Sequence, residues 1–142
     1  MNPTLRNVLA VIAGAVIGMM VNGSIIKISG SIIPYPEGVD VNIFENLKAN
    51  MHRFEPRHFI MPFLAHAIGT FVGALITALI AATYKMKFAL VIGLLSMIGG
   101  ISAVYMLPAP TWFDIIDLVG AYIPMAWMAG KLVESRTKLI PI

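Results

Sequence analysis

The stretch FIMPFLAHAIGTFVGALITALIAATY, residues 59–84, decides the fold of this 142-residue chain, because it contains no Asp, Glu, Lys or Arg. A helix crosses the roughly 30 Å hydrocarbon core of a bilayer with about 20 apolar residues, and this stretch is longer than that. Two further uncharged stretches, Val8 to Ile26 and Phe88 to Phe113, also have spanning length. The pattern therefore predicts three transmembrane helices.

A fourth crossing is expected near the C-terminus. The uncharged stretch Leu118 to Gly130 is short, but it reaches spanning length if Trp112 to Asp117 form its outer turn and Lys131 extends its amine to the membrane surface. Of all residues, 58% are hydrophobic and 12% are charged, about half the charge of a typical soluble domain. We predict an all-α integral membrane protein whose four transmembrane helices form a compact bundle, as a single domain over residues 1–142.

Prolines set the expected helix boundaries, because proline lacks an amide donor and disfavours helix in the residue before it. We place the transmembrane helices at about residues 4–33, 58–84, 87–107 and 112–134. A short amphipathic surface helix is expected at about residues 41–54, lying on the outer membrane surface or capping the bundle. Its apolar residues recur at helical spacing: Ile43, Phe44, Leu47, Met51 and Phe54.

The distribution of charge predicts the orientation in the membrane. If the N-terminus is cytoplasmic, that side holds one acid, Glu134, and six basic residues: Arg6, Lys85, Lys87, Lys131, Arg136 and Lys138. The other side holds six acids and three basic residues, besides Lys27 in the outer part of the first helix. Because Lys and Arg concentrate in cytoplasmic segments, we expect both termini inside, in a multi-pass protein of a bacterial inner membrane. The first apolar run is not followed by the small-x-small motif at which a signal peptide is cleaved. We therefore expect this segment to be kept as a transmembrane helix.

Two glycine stripes predict close helix packing. Gly14 and Gly18 lie one turn apart in the first helix, and Gly69 and Gly73 do so in the second. Small residues at this spacing let helix backbones approach in lipid, where burial of apolar surface gives no driving force. The stripes either hold the four helices to one another, or one of them faces outward and forms a homo-oligomer or docks a larger membrane complex.

His66 is the most suggestive polar residue, because it lies about two turns inside the second transmembrane helix. An ionisable side chain at that depth is costly and faces protein rather than lipid. A proton or ion relay would use a histidine in this position. The alternative is a neutral histidine that donates one interhelical hydrogen bond.

Lys27, Asp114 and Asp117 form an outer charged group, expected at one level near the membrane surface. An ion pair between Lys27 and one aspartate would keep both side chains charged near the headgroups. Alternatively, Lys27 extends to the surface by itself. For the aspartates, the alternative is that Asp114 is the N-cap of the fourth helix and Asp117 lies at its third position, where both satisfy free amides and complement the helix dipole. Capping and ion pairing can coexist.

Metal, cofactor and nucleic-acid functions are not expected. The series His52-x-x-Glu55-x-x-His58 contains zinc-binding residue types, but Pro56 interrupts the helix and the spacing matches zinc sites poorly. The chain has no cysteine, which excludes disulfides and thiolate ligands. A net charge of +3 with scattered basic residues gives no reason to expect a nucleic-acid partner. His58 stays a candidate residue for an outer polar pocket.

Three functions are compatible with this sequence. The first is a non-enzymatic structural or accessory subunit in a homo-oligomer or a larger membrane complex, which would explain the small size and the glycine stripes. The second is a small transporter or channel for protons, ions or a small solute, with His66 and the outer charged group beside a polar cavity. The third is a membrane enzyme acting on a lipid or quinone, with His66, His58 and Asp114 in an outer pocket. The sequence offers no activated nucleophile or complete metal shell for that enzyme.

Overall fold

The computed structural model describes residues 1–139, with side chains described as far as Arg136, so the side chain of Lys138 lies outside the described part. Within it the protein is wholly helical and contains six α-helices and two single 3₁₀ turns, Met51–Arg53 and Pro56–Phe59. The helices are α1 (Pro3–Ile32), α2 (Phe44–Asn50), α3 (Ile60–Ile80), α4 (Lys85–Met106), α5 (Thr111–Gly120) and α6 (Ile123–Leu139).

Four segments are long and apolar enough to cross a bilayer: Pro3–Ile32, Pro56–Ile80, Lys85–Met106 and Thr111–Arg136. The predicted all-α fold is confirmed, with four membrane-spanning helices and a short helix between the first two. The chain is thus a multi-pass membrane protein. The starts of α1 and α4 and the end of α3 lie together at what we call the basic end; α2 covers the opposite, capped end.

The fourth span is broken, contrary to the prediction of one helix over residues 112–134. Helix α5 ends at Gly120 and α6 begins at Ile123. Pro124 explains the break, because it lacks the amide that would bond to the carbonyl of Gly120 and its ring clashes with that carbonyl. The chain bends at Ala121 and Tyr122, and both residues are buried in the bundle.

The surface helix caps the bundle and is shorter than the predicted 41–54. Helix α2 covers Phe44–Asn50, and the Asp40 side chain closes the turn before it by accepting a hydrogen bond from the Asn42 amide at 2.9 Å. Beyond α2, Met51 is buried against Phe59 and Phe113. Leu47, Met51 and Phe54 of the predicted apolar face therefore pack at the capped end, whereas Ile43 and Phe44 are exposed.

The two glycine stripes face each other between α1 and α3. A Cβ atom on Gly18 would lie 2.8 Å from the carbonyl oxygen of Gly69, and one on Gly73 would lie 2.7 Å from that of Gly14. No side chain fits at such separations, so the two backbones are in direct contact. The hydroxyl of Thr77, which is fully buried, donates to the α1 backbone at 3.1 Å.

Polar side chains of α1 hold the end of α3 at the basic end. The amide oxygen of Asn7 accepts from the backbone N–H of Ala82 at 2.8 Å, and its amide nitrogen donates to the Thr83 hydroxyl at 2.9 Å. Arg6 donates to the carbonyl of Ile80 at 2.7 Å. Helix α3 therefore ends at Ile80, earlier than the predicted residue 84, because α1 supplies partners for the turn that follows.

Gly14→Ala tests the α1–α3 contact against Gly99→Ala. An added methyl at Gly14 would collide with Thr77 Oγ1 and the Gly73 carbonyl, whereas nothing lies within 4 Å of the same methyl at Gly99. We expect Gly14→Ala to lower the free energy of unfolding by about 1–3 kcal/mol. Unfolding in detergent, titrated with dodecyl sulfate and followed by circular dichroism, measures it. Equal stability of the two variants would contradict the contact.

Asn7→Ala tests the polar clamp, by which we mean the hydrogen bonds from Asn7 to Ala82 and Thr83. It removes hydrogen bonds to two backbone amides and one hydroxyl at a buried position. The expected loss is about 1–3 kcal/mol, because the freed groups lose their partner. Ser24→Ala is the matched control, since the Ser24 hydroxyl bonds only to a carbonyl of its own helix. If both substitutions cost the same in a dodecyl sulfate titration, the clamp does not stabilise the fold.

Candidate functional site

The centre of the bundle holds a cluster of three polar side chains, His66, Asp117 and Tyr122. The imidazole Nδ1 of His66, on α3, lies 2.9 Å from each carboxylate oxygen of Asp117, on α5. The Tyr122 hydroxyl, at the break between α5 and α6, donates to Asp117 Oδ2 at 2.7 Å. Fourteen residues separate His66 from Ile80, which is about 21 Å along α3 from its basic end. The cluster therefore lies within the span of the bilayer.

The hydrogen bonds fix which ring nitrogen of His66 carries a proton. An ionised carboxylate only accepts hydrogen bonds, so Nδ1–H donates to Asp117. No other described residue bonds to Nε2, which is the unprotonated acceptor when the ring is neutral. The His66 ring also stacks on the Tyr122 ring, with centroids 5.8 Å apart and planes 29° apart. The ring is thus held on one edge and one face, while Nε2 has no partner among the described residues.

The cluster changes its net charge with the protonation of His66. With a neutral ring, the buried Asp117 carboxylate gives the cluster a charge of −1; with a protonated ring, the imidazolium and carboxylate form a neutral pair. The Asp117 side chain is 6% exposed and that of His66 is 24% exposed. An uncompensated charge at this depth is unfavourable. A proton on His66 or another cation nearby would compensate this charge.

A cavity of about 670 Å³ reaches from this cluster to the capped end. It is lined by every polar residue that the sequence singled out: Lys27, His58, His66, Asp114 and Asp117. The loop before α2 contributes Asp40 and Asn42, and the apolar residues that cap the bundle form part of its wall. We call it the capped-end cavity.

A second cavity of about 370 Å³ lies between α1, α3 and α4, and we call it the glycine cavity. Gly14, Gly18 and Gly69 contribute to its wall, and Thr70 and Ser96 add hydroxyls. The two cavities meet, because both are lined by His66 and by residues of α1 and α4 beside it: Gly23, Gly100 and Ala103. No residue before Gly14 lines either cavity. The α1–α3 contact therefore separates the cavities from the basic end.

The outer charged group is only partly arranged as predicted. Lys27 and Asp114 line one cavity, but Lys27 forms no ion pair within the described residues, and Asp117 bonds to His66 instead. The prediction that Asp114 is an N-cap is wrong. Helix α5 starts at Thr111 after Pro110, without a side-chain cap. Asp114 is then its fourth residue, and Asp117 faces the bundle interior, well past the free amides.

His58 is a structural residue at the wall of the capped-end cavity. Its Nδ1 accepts from the Glu55 backbone N–H at 2.8 Å, so Nε2 carries the proton and donates to the Pro34 carbonyl at 3.0 Å. Both nitrogens are used, and the residue is 4% exposed. The side chains of His52, Glu55 and His58 do not come together as a set of metal ligands. The described part of the chain contains no group of three potential metal ligands.

Tyr122 is the member of the site that the sequence analysis did not single out. The available signal was Pro124, which breaks the helix beside it.

The sequence matches no protein-family model, no curated protein and no solved structure.

His58, which is buried, and His66, which is half-buried, are expected to be opposite tautomers when neutral. His66 should carry its proton on Nδ1 because of Asp117, and His58 on Nε2 because of Glu55 and Pro34. ¹⁵N chemical shifts of the ring nitrogens, recorded in detergent with labelled histidine, distinguish these forms. The exposed His52 provides a mixed-tautomer reference. A neutral His66 with its proton on Nε2 would contradict the bond to Asp117.

Proposed function

We propose that this protein is a small, non-enzymatic transporter that exchanges a proton for a cationic solute at the His66–Asp117 pair. The observation that carries this proposal is the position of His66 at the junction of the two cavities. Asp117 holds the ring by Nδ1, and Nε2 has no described protein partner. A titratable group with one edge fixed and the other available at a cavity wall suits reversible proton binding.

Exchange follows from competition for one negative charge. A proton on His66 neutralises Asp117, and a cation in the cavity would neutralise the same carboxylate. Because one charge cannot be compensated twice without cost, each species favours release of the other. The other ionisable groups around His66 come from several elements: Tyr122 at the break between α5 and α6, Asp114 on α5, Lys27 on α1, Asp40 in the loop, and His58.

The structure offers less support for an accessory subunit. That hypothesis requires a glycine stripe as a docking surface, but the two stripes pack against each other in the contact between α1 and α3. Assembly as a homo-oligomer or within a larger membrane complex remains a prediction. Solution mass in detergent measures it, and it is independent of the exchange chemistry.

The direction of access is also a proposal. Arg6, Lys85 and Lys87 lie at the basic end, where the excess of positive charge favours the cytoplasm. If both termini lie on the cytoplasmic side of a bacterial inner membrane, the capped-end cavity faces the outside. Transport would then require the α1–α3 contact to loosen, since it closes the path to the basic end.

A membrane enzyme is the second candidate, because a carboxylate bound to histidine Nδ1 also orients a general base. Nε2 could then accept a proton from a bound lipid or quinone. None of the described hydroxyls bonds to Nε2 as a nucleophile would. Chemical conversion of lipid during incubation with the purified protein would favour this candidate over transport.

Proton exchange is tested in liposomes that contain the protein and an internal pH-sensitive dye. Sodium, tetramethylammonium and tetraphenylphosphonium are added outside in turn. We expect at least one of them to drive proton efflux above that of protein-free liposomes. His66→Gln and Asp117→Asn should reduce this flux about tenfold or more, because each removes one side of the competition.

Ser24→Ala is the matched control, since Ser24 lines neither cavity. The absence of efflux with all three cations would overturn the proposal, and so would efflux that both site variants leave unchanged. Dodecyl sulfate titration of the same preparations separates a lost function from a lost fold.

A further inference from the structure

Exposed residues of α1 and α4 border one side of the glycine cavity, and we call this side its mouth. Gly23 on α1 and Gly99 on α4 line it, and nothing lies within 4 Å of a Cβ atom built on either residue. Met19 and Leu95 also line the cavity and are 66% and 49% exposed. Gly99 lies fourteen residues from Lys85, about 21 Å along α4 from the basic end. The mouth is therefore at the depth of the hydrocarbon core.

The walls of the capped-end cavity are negatively charged. One lysine, Lys27, faces three aspartates, Asp40, Asp114 and Asp117. His58 is neutral in its hydrogen-bonded form, and His66 is neutral once it has released its proton. This balance favours a positively charged ligand.

Aromatic and apolar surfaces surround that charge. Tyr122 lines the glycine cavity, and the rings of Phe59 and Phe113 line the capped-end cavity. Aromatic faces attract cations, most strongly where water is excluded. The glycine cavity itself is mainly apolar, with small residues that leave room for hydrocarbon groups.

We propose that the exchanged solute is a lipophilic cation, which enters from the hydrocarbon core between α1 and α4. Its apolar groups occupy the glycine cavity and its positive charge lies beside Asp117. This inference rests on the proposed exchange function and adds the class of substrate and its route. A hydrophilic cation would instead use only the capped-end cavity.

The charge requirement is tested with two probes of matched size and shape and opposite charge, tetraphenylphosphonium and tetraphenylborate. Equilibrium dialysis against the protein in detergent should show saturable binding of the phosphonium and none of the borate. Asp117→Asn should weaken phosphonium binding about tenfold or more, because it removes the compensating charge. Equal binding of both probes would show non-specific partitioning and overturn the proposal.

The route is tested with Gly99→Leu, which adds a bulky side chain at the mouth, at a position where nothing lies within 4 Å of an added Cβ atom. Proton efflux driven by tetraphenylphosphonium should fall about tenfold or more, while sodium-driven efflux, if present, should not change. Ile98→Leu is the control, because Ile98 is exposed on the same helix and lines neither cavity.

The outcomes separate the two proposals. Efflux with sodium or tetramethylammonium alone would overturn the lipophilic substrate and leave the exchange function standing. Phosphonium-driven efflux that Gly99→Leu leaves unchanged would overturn the lateral route. Loss of phosphonium-driven efflux in Gly99→Leu but not in Ile98→Leu, with both variants as stable as the wild type, would support substrate and route together.

Discussion

The buried carboxylate of Asp117 is the constraint on which the rest of the site depends. A charge at this depth needs donors from the protein, and it receives one from His66 on α3 and one from Tyr122 at the α5–α6 break. Those donors come from two different membrane spans, so the carboxylate ties the second and fourth spans together. Nε2, the other nitrogen of His66, has no partner in the part of the chain that the structure describes. The cost of burying the Asp117 charge and the capacity of His66 to bind a proton therefore come from the same interaction.

The backbone features of the bundle make this arrangement accessible. Direct contact between the glycines of α1 and α3 closes the bundle towards the basic end. Helix α4 packs mainly against α3 and α6, and space remains between α1 and α4 for the glycine cavity. The bend before Pro124 turns Tyr122 inward. The close packing of α1 against α3 and the break between α5 and α6 thus leave a pocket. Four straight helices would pack together without one.

Much of the fold could be predicted because uncharged length and proline positions are local signals. The four spans and the glycine pairs at helical spacing follow from such signals, and His66 stands out by its depth alone. The partner of His66 could not be predicted, since helical spacing does not say which spans are neighbours or how they are rotated. The prediction places Asp117 in the first turn because it takes Asp114 as the N-cap, whereas α5 begins three residues earlier, at Thr111. Pro124 is a local signal for the break between α5 and α6, but it does not specify that the bend brings the Tyr122 hydroxyl to Asp117.

Competition between a proton and a cation for Asp117 is tested most directly by calorimetry. Tetraphenylphosphonium is titrated into the protein in buffers of different ionisation enthalpy, at a pH where the His66 ring is charged in the free protein. The dependence of the heat on the buffer gives the number of protons released. Competition for one charge predicts about one proton released per cation bound. Saturable binding with no proton release would contradict the exchange between His66 and the cation.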